Sequence, residues 1–134
     1  MEGIEEITSD GTVLAYVVRA TLDPKASTFF TPPELNFQSG LVVVPEGQTV
    51  ARHDHLPVRR QLTGTSEALF VRRGHCEMDI YNRSRELVST HELRTGDMAL
   101  FVGEGGHGFR ALEDTVLFEV KQGPYEEVAD KERF

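Results

Sequence analysis

A chain of 134 residues has the size of one domain, enough for a two-sheet core and too short for two ordinary domains. Its 14 basic and 22 acidic side chains leave a formal charge of −8, which repels phosphate backbones and argues against a nucleic-acid partner. The basic residues cluster only weakly, at Arg59-Arg60 and Arg72-Arg73.

The opening Met1-Glu2-Gly3-Ile4-Glu5-Glu6 has neither the basic start nor the apolar run of a secretion signal. The longest apolar runs, such as Met98 to Val102, are too short to cross a bilayer. A single cysteine, Cys76, cannot form an internal disulfide, in keeping with a reducing compartment. The expectation is a cytoplasmic protein with no membrane partner.

In chain order, Gly11 marks a turn after Asp10, and the β-branched run Thr12 to Val18 reads as a strand. Residues 22–40 are rich in Pro, Ser and Thr, with Phe29, Phe30, Leu35 and Phe37 embedded. Pro32-Pro33 rules out helix and central strand there, so an irregular arm is expected, its aromatics covering a surface of this barrel or a second subunit's. Strands then follow over Leu41 to Val44, Thr49 to His55, Glu67 to Arg73, His75 to Tyr81, Glu86 to Leu93, Met98 to Val102, Gly108 to Leu112 and Thr115 to Lys121. Turn residues at Pro45-Glu46-Gly47, Gly74, Asn82-Arg83-Ser84, Thr95-Gly96-Asp97 and Glu113-Asp114 separate them. Many short strands without a long helical period predict an all-β antiparallel barrel or sandwich spanning 1–134 as one domain. Residues 125–134 are expected as a helical turn or surface extension.

Four residues carry the candidate chemistry. His53-Asp54-His55 sets two imidazoles two positions apart, and in a strand alternate side chains leave the same face, so both rings can aim at one point. Glu67 opens a later apolar segment and His107 follows Gly105-Gly106. Three neutral nitrogens and one carboxylate suit a divalent transition metal such as Fe, Mn, Ni or Zn, without selecting among them. By parity Ala51, Leu69, Val71 and Phe109 line the same interior, giving the site apolar walls. His75 and His91 are read as surface residues, Cys76 as a small buried hydrophobe and Tyr81 as packing. Arg59 and Arg60 lie in the loop between ligands, where a guanidinium fork suits a substrate carboxylate or phosphate.

The spacing of Gly47, His53-x-His55, Glu67 and Gly74, followed by Gly96 and His107, resembles the two motifs of the cupin superfamily. Val102, Glu104 and Ala111 depart from the second motif, and the eleven residues between His55 and Glu67 exceed the family's usual spacing. The resemblance implies a single-domain double-stranded β-helix, or jelly-roll barrel, with His53, His55, Glu67 and His107 as metal ligands and a homodimeric state. The segments Glu119 to Tyr125 and Gly105 to Phe109 look like those of small cupins of sugar-nucleotide and polysaccharide pathways. That similarity implies a small carbohydrate-like substrate and isomerase- or epimerase-type chemistry. Arg59 and Arg60, by their guanidinium chemistry, and Phe109, by its place in the interior, are the candidate substrate contacts. An Fe(II)-dependent dioxygenase, metal-free catalysis by His53 or His107, and a non-enzymatic sensor are the alternatives.

Overall fold

The computed structural model describes residues 1–134. The chain is mostly β, and every strand pairing is antiparallel. It divides into two compact units, residues 1–22 with 64–134, and residues 23–63.

The first unit begins with β1 (Ile4–Ser9) and β2 (Thr12–Val18), joined by Asp10-Gly11. Both turn residues have positive φ, 50° and 76°, the twist a two-residue hairpin requires. β5 (Glu67–Arg73), β6 (His75–Tyr81), β7 (Leu87–Arg94), β8 (Met98–Phe101), β9 (Gly106–Ala111) and β10 (Val116–Lys121) follow. They form a five-stranded sheet in the order β1-β2-β8-β5-β10 and a three-stranded sheet in the order β7-β6-β9. None of the sheets closes on itself as a barrel.

The alternation of burial along β6, with Cys76, Met78 and Ile80 inward, shows how these sheets share a core. Ile7, Ala15, Val17, Leu69, Val71, Ala99 and Phe101 of the larger sheet pack in one cluster with Cys76, Met78, Ile80 and Leu93 of the smaller. Leu69, Val71 and Cys76 are thus buried as their sequence parity and type predict. Asp97 clasps the turn before β8: its Oδ1 accepts from the Ala20 amide at 2.8 Å, and its Oδ2 from the Arg94 amide at 2.9 Å and the Arg19 guanidinium at 3.3 Å. This carboxylate is nearly buried because its oxygens find donors there.

In the second unit β3 (Thr28–Phe29) and β4 (Gly40–Leu41) make a two-residue ladder closing the Pro-rich arm. Phe30 N donates to Ser39 O at 3.0 Å, and Ser39 N to Thr31 Oγ1 at 2.9 Å. The strand expected over Leu41 to Val44 shrinks to its first residue, and the one over Thr49 to His55 is absent. Residues 44–64 are exposed throughout, so no buried face favours an extended ladder there, and β-branched content alone does not supply one. A short helix, α1 (Glu127–Asp130), follows β10. No helix is long and apolar enough to cross a membrane.

Candidate functional site

Glu67 begins β5 and lies opposite Phe101 of β8 on one side and Lys121 of β10 on the other. In an antiparallel ladder opposed residues share a face, so all three side chains look into the sandwich. His107 sits in β9 opposite Ile80, whose side chain is in the core, and therefore looks inward from the smaller sheet. The two meet: His107 Nε2 is 3.3 Å from Glu67 Oε1, with the Glu67 side chain 12% exposed and that of His107 27%.

The imidazole is held by rings. Phe101 stacks on it with centroids 3.7 Å apart and planes within 15°, and Phe109 meets it edge-on at 5.8 Å. Phe109 therefore lines the site, as its parity predicts. Burial works to raise the Glu67 carboxyl, but hydrogen bonds with His107 and Glu119, and the charges of His107 and Lys121, outweigh it and hold the group below its ordinary value. Lys121 Nζ is 3.0 Å from Glu119 Oε2, and that contact holds the ammonium above its usual range.

The loop feeding His107 is tight. Gly105 has φ +66°, and a Cβ there would lie 2.1 Å from the Tyr81 carbonyl oxygen, so only glycine lets β9 start so close to the end of β6. Around the pair opens a cleft of about 1230 Å³, lined by Leu69, Phe101, Phe109 and Leu117 with Glu119 and Lys121. Its walls are open to solvent and about equally apolar and polar, with Arg83, Arg85, Glu104 and the terminal residues 130–134 at the rim.

No protein-family model, curated protein or solved structure matches the chain. The arrangement of its own residues carries the functional argument.

His53 and His55 lie in the other unit, exposed and in irregular chain rather than on a strand. The strand geometry expected to align them is not the one the chain adopts. Their rings stand edge to face, 5.3 Å apart, and His53 Nδ1 lies 2.8 Å from Ala51 O. Ala51 is exposed and lines no interior, and Arg59 and Arg60 are exposed in the same segment. No group of three or more His, Cys, Asp or Glu side chains gathers as a metal-holding cluster.

His75 and His91 are not the surface residues their polar neighbours suggested: their side chains are 17% and 18% exposed. His91 lies opposite buried Met78, so it shares the inward face of β7, a consequence of register that local polarity does not reveal. Sequence reasoning also missed Glu119 and Lys121, although two charges in an otherwise apolar strand, Val116-Leu117-Phe118-Glu119-Val120-Lys121, are such a signal.

Proposed function

We propose that the first unit is a jelly roll of the cupin kind whose cleft catalyses proton transfer on a small carbonyl compound of carbohydrate type, an isomerase- or epimerase-like reaction. The observation carrying this reading is the Glu67–His107 pair, an ionised carboxylate against an imidazole clamped by Phe101 in a partly apolar cleft. In the tautomer whose Nε2 proton faces Glu67, 3.3 Å away, Nδ1 of His107 is unprotonated and can act as a base. Glu67 then fixes the tautomer and stabilises the imidazolium that forms, as the carboxylate does in hydrolytic triads.

The C–H bond beside the substrate carbonyl breaks, its proton passes to His107 Nδ1, and the electron pair moves onto the carbonyl oxygen as an enolate. Lys121 is the cation on the same wall and offers that oxygen charge. Delivery of that proton by His107 to the former carbonyl carbon on the same face, while the neighbouring hydroxyl passes its proton to the enolate oxygen, completes an isomerisation; inversion at the carbon requires a second proton donor on the opposite face. Incubating sugar nucleotides and phosphosugars with the protein in D₂O should place deuterium beside the carbonyl. His107→Gln and Glu67→Gln should each lower that rate by about 10²–10⁴. No exchange and no turnover across the panel removes the proposal, and saturable binding without either points to a sensor instead.

The pair's spacing also favours a metal-dependent form of the same enzyme. Two ligands on one ion at roughly 2.1 Å and a right angle stand about 3 Å apart, close to the 3.3 Å between Nε2 and Oε1. Glu67 and His107 thus have the spacing of two ligands, while His53 and His55, expected from the sequence to complete the set, lie exposed in the other unit. A divalent metal bound there would supply a Lewis acid for the enolate oxygen. Metal analysis after purification without added salts tests this: a stoichiometric ion that Glu67→Gln and His107→Gln each deplete supports it, and an ion-free active protein overturns it.

A further inference from the structure

At the rim of the cleft lies a second set of contacts, which apart from Lys121 the proton-transfer reading does not use. Beyond β10 the chain turns back over the opening. The Tyr125 ring lies under Lys121 Nζ at 4.5 Å, and Asp130 Oδ1 accepts from Thr65 Oγ1 at 2.8 Å. The Phe134 ring then meets Tyr81 edge to face at 5.1 Å, with the Arg85 guanidinium 4.9 Å from its centroid. Arg85 also pairs with Glu132 at 2.9 Å.

The receiving surface is built for a ring. A Cβ on Gly106 would lie 2.9 Å from two carbons of Phe134, so the bare backbone there makes room for it. Arg85 takes φ +63°, a conformation a non-glycine residue adopts at a cost, in a turn where its amide donates to Asn82 O and Glu86 N donates to Asn82 Oδ1, both at 3.0 Å.

We propose that Tyr81, Arg85 and Gly106 form a ligand subsite for an aromatic anion, a flat ring bearing a carboxylate or phosphate, and that the chain's own Phe134 and Glu132 occupy it as internal stand-ins. A guanidinium that faces a ring and holds an acid at once has the two halves of such a ligand's recognition. The occupant is lightly held: Phe134 is 61% exposed, and α1 buries no residue. A segment with so little buried surface opens at small cost, so an outside ligand of the same chemistry can displace it. The subsite is independent of the chemistry assigned to Glu67 and His107.

Titration of the ¹⁵N-labelled full chain with phenyl phosphate and with 3-phenylpropionate tests the assignment. In Phe134→Ala/Glu132→Gln the vacated shelf should bind one or both probes saturably, shifting the Gly106 and Arg85 amides, about tenfold more tightly than the unaltered chain, where the occupant must first leave. The stronger probe tells whether phosphate or carboxylate is preferred. Adding Arg85→Ala should abolish the shifts. Glu132→Gln alone leaves every aromatic contact in place and should give an intermediate affinity. Equal affinity with and without the internal occupant, or no saturable shift in the vacated variant, overturns the proposal.

Discussion

His91 illustrates how one side chain couples the core to pH. Burial pushes its pKa down, the neighbouring Glu5 carboxylate pulls it up, and Arg19 pushes it down again, leaving it below its ordinary value. Its ring also bonds the Ser89 hydroxyl at 2.8 Å. A histidine held neutral in the folded state takes up its proton more readily when unfolded, so unfolding gains as pH falls from about 6.5 toward the lowered value. Urea midpoints should therefore drop between pH 7.5 and 5.5, and His91→Gln should flatten that drop. An identical decline in the variant would assign it to other groups. Asp97 contributes through the hydrogen bonds its carboxylate accepts. Asp97→Ala strands two backbone amides and removes one of three partners of the Arg19 guanidinium, and should cost about 3 kcal/mol in chemical denaturation. Asp97→Asn keeps one acceptor and should cost less.

At the scale of strands, the alternating or β-branched segments were legible: β2, β5 and β6 run over the residues expected, and β7 to β10 shift by two residues at most. Such segments bury one face, and burial is what the pattern records. β1 was overlooked because its glutamates mask the apolar positions, yet Ile4 and Ile7 followed by Asp10-Gly11 is a hairpin signal. The stretch holding His53 and His55 failed for the reverse reason, having strand-forming residues without a sheet to join. The site was half legible. Glu67 and His107 come together because both belong to well-patterned strands, whereas long-range register, which places Glu119 and Lys121 beside them, is invisible to spacing in one chain. The β8–β9 connection gives a direct test. Gly105→Ala forces a side chain against the Tyr81 carbonyl in a left-handed backbone. It should lose about 2 kcal/mol of stability and shift the His107 ring resonances, while Gly108→Ala, with open space around the added carbon, should do neither.

For the molecule as a whole, the proposed homodimer rests on the arm. Phe29 is 63% exposed there, a large ring in water that a second subunit would cover. Light scattering should give twice the chain mass, falling to one on Phe29→Ser; a monomer in both cases removes the proposal. The placement of the single thiol has a different consequence. Cys76 is 1% exposed between the two sheets, and burial raises its pKa, so the nucleophilic thiolate is scarce while the sheets stay together. The molecule thus carries its own stopwatch for breathing. An alkylating reagent added to the native protein should consume this sulfur only as fast as the sandwich parts, and the Asp97→Ala chain should tick measurably faster.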